Sequence, residues 1–94
     1  MKILILSRNI NLYSTQSLME AIRKRGHEVQ VYDHLMCNII VEKNKPKVMI
    51  GLDDLGHFDA VIPRIGASAT AYGAAIIRQF EAMGVFVTVT AEAL

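Results

Sequence analysis

The chain has 94 residues, the length of one small domain, and 52% of them are hydrophobic against 20% charged. That balance is typical of a folded protein with a core and excludes an intrinsically disordered chain. Ten basic and nine acidic residues give a formal net charge of +1, too weak a field to attract nucleic acid or an anionic membrane.

Cysteine content and apolar runs bear on the compartment. The single cysteine, Cys37, excludes an intramolecular disulfide and is typical of a reducing environment. The apolar run at residues 3–6 is shorter than the core of a signal peptide, and no stretch approaches the ~20 apolar residues of a membrane span. We therefore expect a cytoplasmic protein.

The first predicted elements are a strand and a helix. Residues 2–7 form an unbroken apolar run that predicts a buried strand. Either Ser14 or Ser17 is a suitable cap for the helix that follows, and Gly26 supplies its left-handed stop. The residues expected on its buried face are Leu18, Ala21, Ile22 and the stem of Arg25.

The middle of the chain predicts strands where an alternating α/β pattern would place a helix. Residues 27–33 alternate polar and apolar and predict a second strand. Residues 37–42 and 47–50 then predict the two strands of a hairpin spanning 37–51. The turn would be Lys43-Asn44-Lys45-Pro46, with the proline outside the ladder, where its missing N–H does no harm.

The last part of the chain repeats the strand–helix–strand pattern. Residues 59–62 predict a third parallel strand, and Ser68 or Thr70 would cap a helix ending at about Met83. A fourth strand is predicted over 85–90, followed by the start of another helix at Ala91–Leu94. The helix has a core stripe at helical spacing, formed by Tyr72, Ile76, Phe80 and Met83.

These elements predict an α/β fold with a small, open, mainly parallel sheet and an inserted β-hairpin. Right-handed crossovers place the two helices on opposite faces and give the parallel strands the order 2-1-3-4. The order reverses between the first and third of these strands. In open parallel sheets, ligands bind at such a reversal, outside the carboxyl ends of the strands.

Two arginines follow the two strands at this reversal. Arg8 comes just after the first strand and Arg64 just after the third, so both are expected in one crevice. Two guanidinium groups there suit a phosphate or a carboxylate. Two alternatives stay open: Arg64 could pair with Asp59 or Glu81 and only brace the strand end, and Arg8 could simply be exposed.

Motifs for autonomous chemistry are absent from the sequence. Neither GxGxxG nor GxxxxGK[ST] occurs, and no hydroxyl- and glycine-rich loop follows the first strand, which disfavours an FMN-binding flavodoxin-like protein. His34 and Cys37 are interpreted as a surface histidine and a buried thiol, because two candidate ligands do not make a zinc site. No serine has a histidine beside it in the predicted fold that could act as its base. We expect no catalytic residue and no bound metal within this chain.

Several motifs in order along the chain carry a family resemblance. They are Ser7-Arg8, Leu12-Tyr13-Ser14-Thr15, Arg25-Gly26-His27, Phe58-Asp59-Ala60-Val61-Ile62-Pro63-Arg64-Ile65-Gly66, Tyr72-Gly73, and Arg78-Gln79-Phe80-Glu81 with Gly84. With them the whole chain closely resembles the N-terminal portion of RimK-type ATP-grasp ligases. The hairpin matches that family more loosely, and Val87-Thr88-Val89-Thr90 lacks the family's asparagine-serine ending.

The resemblance implies that residues 1–94 are a pre-ATP-grasp domain. Enzymes of that family add glutamate to the C-terminus of a small-subunit ribosomal protein. ATP phosphorylates a carboxylate, and the glutamate amine then displaces phosphate. In that family ATP and Mg²⁺ (or Mn²⁺) bind to two later domains, so the isolated chain would be inactive.

The resemblance also implies a site and a set of partners. Its candidate substrate- or anion-binding residues, which would hold a substrate carboxylate or the acyl phosphate, are Ser7, Arg8, Tyr13, Ser14, Pro63, Arg64, Ile65, Gly66 and Ser68. The implied partners are the ATP-grasp domains of the same protein, a ribosomal protein C-terminus and glutamate, in a homo-oligomer without nucleic acid or membrane. The alternative is a freestanding α/β module for subunit contacts or for binding an anionic metabolite.

Overall fold

A computed structural model of the chain describes residues 1–8, 11–64 and 70–88. Its strands are β1 (Lys2–Ser7), β2 (Glu28–Tyr32), β3 (Asn38–Glu42), β4 (Lys45–Ile50), β5 (Asp53–Asp54), β6 (Ala60–Arg64) and β7 (Phe86–Val87). The helices are α1 (Tyr13–Lys24) and α2 (Thr70–Ala82), and short 3-10 turns cover His34–Met36 and Leu55–His57. Within these described ranges, neither helix is long and apolar enough to cross a membrane.

The main sheet has four parallel strands in the order β2-β1-β6-β7, which confirms the predicted order 2-1-3-4. β1 lies between β2 and β6 and is covered on both faces. A strand in that position must be apolar on both sides, which is why its sequence does not alternate.

Alternate residues of β1 point into two separate apolar clusters. One cluster joins β1 to α1 and contains Ile3, Ile5, Met19 and Ile22. The other joins β1 to α2 and contains Leu4, Leu6, Ile76 and Phe80. The two helices therefore cover opposite faces of the sheet, as predicted.

The inserted hairpin is confirmed, and it forms part of a second, antiparallel sheet of the order β3-β4-β5. Its turn is shorter than predicted: Lys43 and Asn44 make it alone, with φ angles of 52° and 63°. The prediction that Pro46 lies outside the ladder is wrong, because it pairs with Val41. That pair follows the hydrogen-bonded pair that closes the turn, so the Pro46 nitrogen faces away from β3 and no ladder bond is lost.

The start of α1 also differs from the prediction. The first helical bond runs from the Gln16 N–H to the Leu12 carbonyl, so Leu12 is the N-cap, and it has no side-chain bond. Ser14 and Ser17 lie inside the helix, exposed to solvent. Predicting either serine as the cap is wrong, because water can satisfy the free N–H groups at this exposed helix end.

The buried face of α1 is rotated from the predicted one. The buried residues are Thr15, Met19 and Ile22, while Leu18 is only half-buried and Ala21 and Arg25 are exposed. Thr15 can occupy this face because its hydroxyl lies 3.4 Å from the hydroxyl of Ser7. Burial of this polar residue depends on that partner in β1.

The remaining boundaries shift by a few residues. β6 continues through Pro63 to Arg64, and α2 has Thr70 as its first helical residue, so Thr70 is not its cap. β7 covers only Phe86–Val87 of the predicted strand 85–90. The Ser68 cap, the end of that predicted strand and the predicted helix start at residues 91–94 lie outside the described residues.

Candidate functional site

Three neighbouring strands end at the same edge of the main sheet, called here the carboxyl edge. Ser7, the last residue of β1, is in register with Arg64, the last residue of β6. On the other side, Leu6 of β1 is in register with Tyr32, the last residue of β2. This is the place where open parallel sheets bind ligands.

Arg8 and Arg64 are both exposed at the carboxyl edge. Neither forms a salt bridge with a carboxylate of the described residues. Asp59 accepts a hydrogen bond of 2.7 Å from the Lys2 N–H at the other end of β6, roughly 16 Å of extended strand from Arg64. The geometry thus gives no support to the alternative in which Asp59 neutralises Arg64.

The register shows how far the two arginines are brought together. Along β6, Arg64 lies on the same face of the sheet as Ala60 and Ile62, which is the face covered by α1. Its neighbour on β1 is Ser7. Arg8 lies one residue beyond the partner of Arg64, past the end of β1. The structure therefore places them on adjoining strand ends, and their meeting in one crevice stays a prediction.

Ser7 and Pro63 differ from the two arginines in their exposure to solvent. Both are buried. The Ser7 hydroxyl faces α1, 3.4 Å from the Thr15 hydroxyl. These two residues hold the strand ends in place and present little side-chain surface to a ligand.

Tyr13 and Ser14 lie in the first turn of α1, exposed to solvent, and Tyr13 is 85% accessible. The contact between Thr15 and Ser7 puts this helix start at the carboxyl edge. The free N–H groups and the positive dipole end of the helix favour an anion there. The remaining predicted site residues, Ile65, Gly66 and Ser68, lie outside the described residues.

His34 is a residue of this edge that the sequence interpretation missed. It follows β2 in the 3-10 turn and is 0% exposed, so its interpretation as a surface histidine is wrong. The turn packs against α2, and the ring centroid lies 6.4 Å from that of Tyr72. Its position after the second strand is the only signal in the sequence, since burial of the ring depends on α2 from a distant part of the chain.

Burial favours the neutral form of the His34 imidazole. Burial lowers the pKa of its imidazole, the carboxylate of Asp33 partly opposes this, and the guanidinium of Arg8 lowers it further. The Asp33 Oδ1 lies 3.8 Å from the His34 Nδ1. At pH 7 the ring therefore carries one N–H donor and one free acceptor nitrogen.

Cys37 is a buried thiol, as predicted, and a poor nucleophile. Burial, with the nearby carboxylate of Asp33, raises the pKa of its thiol to about 11. The Tyr72 hydroxyl donates a hydrogen bond to the Cys37 carbonyl and so connects the start of α2 to this turn.

The carboxyl edge suits anions better than metal ions. No group of three or more His, Cys, Asp or Glu side chains that could hold a metal occurs within residues 1–8, 11–64 and 70–88. Mg²⁺ prefers several carboxylate oxygens, whereas the described part of this edge has two guanidinium groups and the single carboxylate of Asp33. A separate cavity of about 520 Å³ opens along β2, lined by Glu28, Tyr32, Lys2 and His57 among others, and neither Arg8 nor Arg64 lines it.

Related sequences align with almost the whole of this chain. The model of the RimK pre-ATP-grasp domain family matches residues 1–94. A Vibrio cholerae protein named "Probable alpha-L-glutamate ligase" is 57% identical over 86 residues, which are 92% of this chain and 29% of that protein. A protein of the same name from Thioalkalivibrio sulfidiphilus is 59% identical, with the same two coverages. The chain thus spans about 29% of the length of these relatives.

Solved structures share the fold. A RimK domain ATP-grasp protein from Sphaerobacter thermophilus superposes with a TM-score of 0.70 at 22% identity, over 97% of this chain and 31% of that one. The ATP-grasp ligase PsnB complexed with a minimal precursor gives a TM-score of 0.64 at 18% identity, over 92% of this chain and 36% of that one. By the family model and the sequence relatives, the chain belongs to the RimK pre-ATP-grasp domain family.

Proposed function

We propose that residues 1–94 are the N-terminal, pre-ATP-grasp domain of an ATP-dependent carboxylate–amine ligase. Glutamate would be the amine substrate, which agrees with the names of the relatives. The acceptor would be the C-terminus of a small-subunit ribosomal protein, as in the RimK-type ligases that the motifs resemble. The observation that carries the proposal is the pair of exposed arginines, without carboxylate partners among the described residues, on adjoining strand ends.

The reaction has two steps, and in each of them negative charge develops on oxygen atoms. A carboxylate oxygen of the acceptor attacks the γ-phosphorus of ATP, and the bond to the bridging oxygen breaks to give an acyl phosphate and ADP. The glutamate nitrogen then attacks the acyl carbon, the carbon–oxygen bond to phosphate breaks, and the nitrogen loses a proton to give the amide. Such steps are accelerated by fixed positive groups near the developing charge.

The chain's own residues would bind the anionic groups in this sequence of steps. Arg64 and Arg8 would hold the acceptor carboxylate and then the acyl phosphate, while buried Ser7 fixes the end of β1 against α1. ATP, with Mg²⁺ or Mn²⁺ to neutralise its phosphates, would bind to later domains of the same protein. Within residues 1–8, 11–64 and 70–88 no group of acidic side chains could hold that metal, so the proposed role of this domain does not involve it.

Substituting Arg64 in the full-length protein tests the role of the carboxyl edge. Arg64→Ala should lower turnover by about a hundredfold to a thousandfold, the usual effect of removing one stabilising group from the transition state. The control is Arg23→Ala, which removes an exposed arginine from the last turn of α1, at the amino end of the sheet. Near-normal turnover in both variants would remove the argument for the arginines.

Product analysis tests the ligase assignment itself. The full-length protein, given ATP, glutamate and a peptide with the C-terminal sequence of the ribosomal protein, should increase the peptide mass by glutamate residues. The same peptide with an amidated C-terminus should stay unmodified, because it has no C-terminal carboxylate to phosphorylate. Modification of the amidated peptide, or of neither peptide, would contradict the assignment.

A titration of the isolated 94-residue chain tests where the nucleotide binds. We expect no measurable heat when Mg²⁺-ATP is added in a calorimeter, because the chain contains no phosphate-binding glycine loop. Tight binding would contradict the assignment of ATP to later domains.

A further inference from the structure

The imidazole of His34 is a buried polar group without a described partner. Both ring nitrogens are inaccessible, and neither has a hydrogen-bond partner within the described ranges. Buried polar atoms in folded proteins are paired in the great majority of cases, so two unpaired nitrogens on one ring require an explanation. A ligand at the site is one such explanation.

The position of His34 favours that explanation. It follows β2, whose last residue is in register with Leu6 of β1, so the ring lies near the end of the strand that leads to Arg8. The guanidinium of Arg8 is close enough to act on the imidazole electrostatically. His34 and Arg8 therefore belong to the same end of the sheet and to adjoining strands.

We propose that His34 is a ligand-binding residue of this site and hydrogen-bonds the carboxylate that Arg8 attracts. The inference rests on the proposed ligase function and adds a binding residue to it. A neutral imidazole donates from one nitrogen and accepts at the other. The matching ligand is a carboxylate, as in free glutamate or the last residue of a peptide, with one oxygen accepting from the N–H of the ring.

Arg8 and His34 would make different contributions to ligand binding. Arg8 supplies the positive charge that attracts a carboxylate at a distance. His34 supplies one directional N–H donor, which fixes the orientation of the carboxylate oxygen that it binds. Together they would bind a carboxylate and hold it in one orientation.

Access to the ring requires a neighbouring side chain to move. Tyr72 lies beside the imidazole and is 39% exposed, so it contacts both the buried ring and solvent. Its hydroxyl is held by one hydrogen bond, to the Cys37 carbonyl. Breaking that single bond would free the phenol ring to rotate and open a path to His34.

Apolar substitutions separate a binding role from a structural one. His34→Leu and His34→Phe keep most of the buried volume but remove both nitrogens. In the full-length ligase, we expect either variant to raise the KM for one carboxylate substrate by about tenfold to a hundredfold, the range for a lost hydrogen bond to a charged group. The melting temperature should not fall with it, because unpaired nitrogens do not stabilise a core.

Two further variants control the experiment. His34→Gln retains a donor and an acceptor and should recover most of the lost affinity. His57→Leu removes a half-exposed histidine before the amino end of β6 and should leave both KM values unchanged. Measuring KM separately for glutamate and for the acceptor peptide identifies which carboxylate His34 contacts.

The result that overturns the inference is distinct from failure of the ligase assignment. If the wild-type protein ligates glutamate and a folded apolar variant keeps both KM values, His34 is a core residue and not a ligand-binding one. If activity falls only in proportion to the folded fraction, measured by circular dichroism, the inference is also wrong. Absence of ligation by the wild-type protein would instead contradict the proposed function.

Discussion

Gln79 joins helix α2 to the inserted hairpin, and its removal should loosen that junction. Its Nε2 donates two hydrogen bonds of 3.2 Å, one to the Ile40 carbonyl of β3 and one to the Lys47 carbonyl of β4. Ile40 and Lys47 are themselves partners in the hairpin register. One amide group thus binds both strands at the same level.

The expected cost of losing this amide follows from the number of bonds. Each neutral hydrogen bond contributes about 0.5–1.5 kcal/mol, so Gln79→Ala should lower the free energy of unfolding by about 1–3 kcal/mol. In a domain of this size the melting temperature falls by roughly 4–8 °C for each kcal/mol. Gln79→Glu should cost more at pH 7, because a carboxylate would face two carbonyl oxygens. Part of that loss should be recovered in acid, where a protonated glutamate can donate one bond.

Urea denaturation of the 94-residue chain, monitored by circular dichroism, measures these differences. Arg78→Ala is the control, since it truncates the adjacent, exposed residue of α2. Amide hydrogen exchange should also show faster opening of β3 and β4 in Gln79→Ala than in the control. Equal unfolding free energies for the two variants would show that the two bonds do not stabilise the hairpin.

Two more predictions follow from the turn after β2. Because burial raises the pKa of Cys37 to about 11, only about one thiol in a thousand is ionised at pH 8, and the native chain should react with iodoacetamide far more slowly than the urea-unfolded chain. Rapid labelling of the native chain would contradict this burial. The lowered pKa of His34 means that the unfolded chain binds a proton which the folded chain resists, so the free energy of unfolding should fall below pH 6.5, by at most ~1.4 kcal/mol per pH unit. Urea midpoints between pH 7 and pH 5 should show this loss in wild type and in His57→Leu but less of it in His34→Leu, and equal loss in all three would refute it.

Much of the fold follows from local patterns in the sequence. The unbroken apolar run of β1 indicates a strand covered on both faces, and the handedness of crossovers then fixes the strand order. The hairpin was also predictable, because two apolar runs flank a short polar turn. These features depend on residues close together in the chain, which is why the sequence alone reveals them.

The differences have two causes, a contact with another element and the length of a turn. Thr15 is buried because Ser7 lies beside it, and a helical pattern of apolar residues alone does not include a threonine. Pro46 can lie within the ladder because its nitrogen faces away from β3. On that other side of β4, β5 pairs only with Met49 and Ile50, so the missing N–H of Pro46 costs no hydrogen bond there either. The Thr15 contact depends on a residue of another element, whereas the Pro46 pairing follows from a turn of two residues, Lys43 and Asn44, in place of the predicted four.

Some residues of the candidate site could be predicted from the sequence and one could not. Arg8 and Arg64 could be proposed from the sequence because each directly follows or ends an apolar strand. His34 could not, since a histidine after a strand is equally compatible with a position in solvent. Only the packing of its turn against α2 shows that the ring is enclosed.

The central position of β1 has a consequence for the order in which the molecule assembles. Partners within the hairpin, such as Ile40 and Lys47, are close in sequence and can meet quickly, whereas Leu4 of β1 must find Val61 across most of the chain. Closing the longer loop costs more entropy, and contacts of large sequence separation slow folding. A ribosome releases the β1 segment first, yet that segment stays without its second neighbour until β6 has been synthesised. The arginine-bearing strand ends can therefore come together only after the whole chain from β1 to β6 has been synthesised.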